Sequence, residues 1–184
     1  MPYLREVKVC SVLDHLEEVF SDALDLLTNG CFIYGGAIRD ILANFPIAGD
    51  LDVAIPSSDL NKTLNLFSES PRWVSGGDEH EIMGSIGEAI ETNNDYKSSA
   101  IIGLVSSIRT FVNSDGRVIQ FMEILPNTEN PKKHSVFDNI MALVQVVDIT
   151  CCGLMSDIYG NVYEVIPGAV RDCKKRVLRF NEGI

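Results

Sequence analysis

Residues 31–56 read CFIYGGAIRDILANFPIAGDLDVAIP, and this stretch decides the fold. Residues 31–34 form a short apolar and aromatic run that suits a buried strand. Gly35 and Gly36 follow at once, lifting the steric limit on φ and letting backbone N–H groups approach an anion closely, as a phosphate-holding turn requires. Ala37, Ile38, Ile41 and Leu42 recur at helical spacing until Asn44 and Pro46 stop a helix over residues 37–44. Residues 49–55 then alternate, so Asp50 and Asp52 leave a strand on one face while Leu51 and Val53 enter the core on the other. Two neighbouring strands, with the short helix covering one face, are expected to bring the glycines and the carboxylates to one place.

Two carboxylates held together as bare anions repel, and a divalent cation resolves the conflict. Mg²⁺ (or Mn²⁺) takes carboxylate oxygens and substrate phosphates together. The ordered set Gly35, Gly36, Arg39, Asp40, Asp50, Asp52 resembles the signature Gly-Gly-x-x-Arg-Asp, gap, Asp-x-Asp of the poly(A) polymerase and CCA-adding tRNA nucleotidyltransferase head domain, in the DNA polymerase beta superfamily. The resemblance implies an α/β (α+β) nucleotidyltransferase fold, a small mixed sheet flanked by helices. It further implies that Asp50 and Asp52 hold the metal and act in catalysis, and that Gly35, Gly36 and Arg39 serve the nucleotide. Arg39 and Asp40 are expected first to brace the glycine turn, through a planar guanidinium fork and a carboxylate that accepts backbone N–H groups.

With 184 residues, 46% of them hydrophobic, residues 1–184 are expected to fold as one domain around a sizeable core. A formal net charge of −11 excludes a protein that coats nucleic acid by bulk electrostatics, so any RNA contact must be local. Five cysteines without Cys-x-x-Cys spacing give neither a disulfide framework nor a zinc site. No apolar run is long enough for a membrane span and the N-terminus is too charged for a secretory signal, so a soluble, cytoplasmic protein is expected.

Along the chain, Val12, Leu16, Val19, Phe20, Ala23 and Leu27 predict an amphipathic helix ending at Asn29-Gly30, with Ser11 and Asp14 as a capping-box variant. Its acidic residues read as a solvated face. A second helix is predicted over residues 59–67, and Trp73-Val74 begins a strand. Residues 76–99 form an irregular excursion in which Glu79, His80 and Glu81 read as loop. Two β-rich runs, 100–112 and 117–125, flank Asn113-Ser114-Asp115-Gly116, a hairpin signal that predicts antiparallel pairing. Nucleotidyltransferases of this superfamily often draw a third carboxylate from a strand beside the Asp-x-Asp strand, which makes Glu123 the candidate. Glu123 and Gln120 have opposite parity, and only one parity faces the metal. Pro131 opens a helix to about Val144, with a small basic spot at residues 131–134. Residues 144–155 read by themselves as an apolar strand with one carboxylate.

A second resemblance covers Val147 to Met155, Gly160 to Tyr163 and a basic close at Arg179, similar to the second half of the same head domain. Asp148 and Thr150 match the family's Asp and Thr, which implies a nucleotide-facing Asp148. Val146 and Val147 stand where the family has arginines that engage the nucleotide, and Cys152 replaces its Asn. The family continues into neck, body and tail, whereas this sequence ends at Ile184. The resemblance implies transfer of a nucleoside monophosphate from a triphosphate to an acceptor hydroxyl, an RNA or tRNA 3′ end, with release of pyrophosphate. Two alternatives stay open: a nucleotide- or RNA-binding domain that has lost turnover, and transfer to a protein hydroxyl.

Overall fold

A computed structural model describes residues 3–8, 12–76, 105–125 and 135–182. Its strands are β1 (Arg5–Val7), β2 (Phe32–Tyr34), β3 (Leu51–Pro56), β4 (Trp73–Ser75), β5 (Val105–Asn113), β6 (Val118–Ile124), β7 (Leu154–Asp157) and β8 (Val162–Glu164). The helices are α1 (Val12–Phe20), α2 (Gly36–Leu42), α3 (Ser57–Glu69), α4 (Val136–Gln145) and α5 (Ala169–Lys175). The strands join one eight-stranded sheet in the order β1-β8-β7-β2-β3-β6-β5-β4, larger than the small sheet expected. It is mixed: β3 and β6 run parallel, and the pairs on either side of them are antiparallel. The fold is therefore α/β, and β2 and β3 are neighbours as the sequence predicts.

Strand alternation gives each face its own core. Ile33, Leu51, Val53, Ile55, Ile119 and Phe121 point to one face, where they meet buried residues of α1, α2, α3 and α5. Phe67 of α3 is fully buried there, its ring 5.1 Å from Phe121 and 5.2 Å from Phe111. The other face carries Tyr34, Ala54, Ile124 and Met155 under Ile140, Leu143 and Val144 of α4. Ser135 caps α4 by accepting from the Asp138 N–H while the Asp138 carboxylate accepts from the Ser135 N–H. The β5–β6 hairpin forms at the Asp-Gly signal, where the Asn113 side chain accepts N–H groups of Asp115 and Arg117.

Two local expectations are corrected. The first helix does not stay α-helical to Asn29: it tightens into a 3-10 turn over Ser21–Leu26. Residues 144–155 are not one strand but the end of α4, a 3-10 turn over Thr150–Cys152 and the start of β7. Gly153 ends the 3-10 turn: its carbonyl accepts from both the Val165 and Ile166 N–H groups, and a Cβ there would stand 2.4 Å from the Cβ of Ile166, so only glycine fits this close approach. Ser11, the excursion with Glu79, His80 and Glu81, and the basic spot at 131–134 lie outside the described residues.

Candidate functional site

Gly35 joins β2 to α2 with φ +77° and ψ −133°, a backbone conformation that L side chains rarely adopt. A Cβ built at Gly35 would lie 3.5 Å from Oδ2 of Asp52, so the glycine turn and the carboxylate share one site. The Gly35 N–H is not offered to a ligand, because it donates to the Leu154 carbonyl at 3.2 Å. The N–H groups left without intrahelical acceptors are those of Gly36, Ala37 and Ile38 in the first turn of α2.

The turn is braced from behind. Arg39 donates from Nε to Oδ1 of Asp40 at 2.8 Å, holds the same oxygen through a second nitrogen at 2.7 Å, and reaches the Cys152 sulfur at 3.6 Å. Asp40, buried, uses its other oxygen to accept the Ala48 N–H at 3.2 Å, tying the loop before β3 to α2. The guanidinium also lies against Gly36. Arg39 and Asp40 therefore occupy the bracing positions expected of them, and the arrangement spends the guanidinium of Arg39 on the protein itself.

Asp52 is half-buried on β3, while Asp50 is exposed just before the strand. Burial pushes the Asp52 carboxyl up to about 6, and the charge of Asp50 adds to the effect. Tyr34, directly across the β2–β3 ladder from Asp52, is raised as well, by burial and then by the charge of Asp52. Hard oxygen donors at unfavourable charge density fit a divalent cation. Asp50 and Asp52 are the residues that would hold it, with substrate phosphates and water completing the shell. Among the described residues no cluster of three or more His, Cys, Asp or Glu side chains is suited to hold a metal without substrate.

Glu123 is not brought to this pair. Register pairs Asp52 with Gln120 across β3 and β6, and Ile55 with Glu123, so Glu123 has the opposite parity and faces the α3 side. There Ser107 donates to its carboxylate at 2.6 Å. Burial opposes its charge, but hydrogen bonds from Ser106, Ser107 and Ser57 prevail and hold the carboxyl below its usual range. The position beside Asp52 on β6 carries the amide of Gln120. A polar row, Thr110, Gln120, Asp52 and Tyr34, crosses four adjacent strands on one face. The sequence did not reveal Thr110 or Tyr34 as members of this row, since only cross-strand register places them there. Asp148 is exposed between α4 and the 3-10 turn, its carbonyl accepting from the Asn181 N–H at 2.9 Å.

A glycine turn at a helix start, an Asp-x-Asp strand beside it and a mixed sheet with helices chiefly on the opposite face define a nucleotidyltransferase-like fold. No known family's sequence profile and no curated sequence matches the chain. Solved structures do. A CCA-adding enzyme complexed with CTP is similar over 99% of this chain at a TM-score of 0.59 and 15% identity, and the same kind of enzyme with ATP gives 0.58 and 14% over 99%. The Thermotoga maritima CCA-adding enzyme complexed with tRNA gives 0.56 and 14%, again over 99%. The chain spans only 37–38% of the length of these proteins. In fold the chain is similar to a part of these CCA-adding enzymes. Among the described residues no helix is long and apolar enough to cross a membrane.

Proposed function

We propose that this protein is a divalent-metal-dependent nucleotidyltransferase that moves a nucleoside monophosphate from a triphosphate to the 3′ hydroxyl of an RNA. The observation that carries the reading is the approach of Asp52 to Gly35, with an Asp52 oxygen 3.5 Å from the Cβ position of the glycine. A triphosphate seated on the first-turn N–H groups of α2 would bring its phosphates beside the two carboxylates. The acceptor hydroxyl oxygen attacks the α-phosphorus and gives up its proton to water, the bond from that phosphorus to the bridging oxygen of the β-phosphate breaks, and pyrophosphate leaves with the electron pair. Asp50 and Asp52 would hold a Mg²⁺ ion, which would supply neutralisation of the charge that develops on the leaving group. The chain's own contribution is positioning: β3 fixes the carboxylates, Gly35 admits the phosphates, and Arg39 with Asp40 keeps the turn from moving. CTP, ATP and tRNA bound to the structural relatives support nucleotide and RNA as the partners.

Gln120 beside Asp52 in place of the carboxylate expected from Glu123, together with Val146 and Val147 in place of arginines, favours a second reading, a nucleotide-binding domain without turnover. Incubation with each α-labelled triphosphate, Mg²⁺ or Mn²⁺, tRNA and a protein extract separates the two. The proposal predicts metal-dependent label in the RNA fraction. Label in protein alone, or none anywhere, overturns it.

A further inference from the structure

The overall charge of −11 allows RNA only a local foothold, which a cluster of basic residues could supply. Arg171, Lys174, Lys175, Arg176 and Arg179 fall within nine residues on α5 and the segment that follows, and all five are exposed. The buried Asp172 carboxylate pairs with Arg179 at 2.7 Å and with Arg171 at 3.6 Å, holding those two guanidinium groups together. Among the described residues, Lys174, Lys175 and Arg176 have no acidic partner within ion-pairing distance. Arg176 instead donates to the Ala43 carbonyl at 3.1 Å and lies 4.3 Å over the ring of Phe45.

Beside these charges the backbone is pinned while its side chains are not covered. Phe180 bridges Ile149, the Thr150 N–H donates to the Arg179 carbonyl, and the Asn181 amide donates to the carbonyls of Gln145 and Val147. Yet Leu178 is 74% and Phe180 83% exposed. A ring left in water on a fixed backbone is a preorganised stacking surface. Phe180 itself lines an open cavity of about 530 Å³, together with Thr150, Ile166, Leu178, Arg179 and one acidic residue, Glu182, within the size range of small-ligand sites.

We infer that α5 and the strand-like segment through Phe180 form an RNA-docking surface, with Lys174, Lys175 and Arg176 on backbone phosphates and Phe180 stacking on a base beside the cavity. An anionic membrane is the competing occupant for a basic patch with exposed apolar side chains. A bilayer is an extended plane that would also face the acidic remainder of the protein, whereas a strand of RNA meets only what lies within about a Debye length, roughly 10 Å at 0.1 M salt. Interleaved aromatic and guanidinium groups further suit bases and phosphates.

The surface rests on the RNA-acceptor reading above, but its test does not depend on turnover. Fluorescence anisotropy of a labelled single-stranded RNA and of a hairpin with a single-stranded 3′ tail would be followed across a salt series, with phosphatidylserine vesicles as a second arm. The double variant K174E/K175E should weaken RNA binding about tenfold or more and reduce the slope of log K against log salt by about 1.4, two phosphate contacts' worth for a single strand. F180A should weaken it about tenfold with little change in the salt slope. Because these side chains are exposed, melting temperatures should match wild type, and Mg²⁺-nucleotide binding should be unaltered. Asp50→Asn should leave RNA anisotropy unchanged even where it abolishes transfer, so the surface and the catalytic reading fail separately. RNA affinity unchanged in both variants overturns the surface. So does binding to the vesicles, but not RNA, that the same variants abolish.

Discussion

Gln120 stands directly across the parallel β3–β6 ladder from Asp52, in the position from which a third carboxylate would reach the metal pair. The relationship predicts a gain as well as a loss. Gln120→Glu should raise Mg²⁺ affinity about tenfold by calorimetry, because another anionic oxygen joins the set. It should also lower the melting temperature in chelator, where three carboxylates repel. Glu123→Gln, on the other face, should leave transfer activity intact and cost about 1–2 kcal/mol of stability through its weakened serine contacts.

Asp52 makes the metal-free protein pH-sensitive with a definite sign. Its folded value of about 6 lies above the ordinary 3.8, so the folded state takes up a proton more readily than the unfolded one. The resulting destabilisation is fully present above about pH 6 and is relieved as pH falls from 6 towards 3.8. Asp52→Asn should therefore raise the melting temperature in chelator at pH 7 and leave it nearly unchanged near pH 4. Mg²⁺ competes with the same proton, so its affinity should fall as pH drops through about 6.

Arg39 grips Asp40 and reaches Cys152, and a bracing role for it predicts coupled losses. Arg39→Ala should reduce stability and activity together, and Arg39→Lys should recover little, because an ammonium cannot reproduce the two-nitrogen grip on Asp40 and the reach to Cys152. Loss of kcat with unchanged melting would instead place the guanidinium on the substrate.

Gly35→Ala should cost about 1–2 kcal/mol from backbone conformation alone, given its φ of +77°. Thermal melts should show the cost with or without nucleotide. Phe67→Ala, emptying the centre of the α3 cluster, should cost about 3–5 kcal/mol.

What the sequence disclosed was local. Gly35-Gly36 marked the turn because L side chains rarely adopt the positive φ found at Gly35, the alternation around Leu51 and Val53 marked β3, and Asp115-Gly116 marked the hairpin. Pairings between distant segments were not legible. The parallel β3–β6 register, which chooses Gln120 over Glu123, joins strands separated by α3, β4 and β5. At residues 144–155 the composition is apolar on every side, so periodicity could not separate strand from helix, and the contact of Gly153 with Ile166, where the 3-10 turn ends, is long-range. The nearness of Gly35 to Asp52 was therefore readable, and the parity that sets Gln120 rather than Glu123 beside Asp52 was not.

The central claim is that Asp50 and Asp52 hold the metal on which nucleotide transfer depends. The most direct measurement is pyrophosphate release and Mg²⁺ binding, side by side, in wild type, Asp50→Asn and Asp52→Asn. Both variants should fold but lose metal binding and about a thousandfold of turnover each, since the metal would neutralise charge on the transferring phosphoryl group. Unchanged Mg²⁺ affinity and unchanged pyrophosphate release in both variants would contradict it.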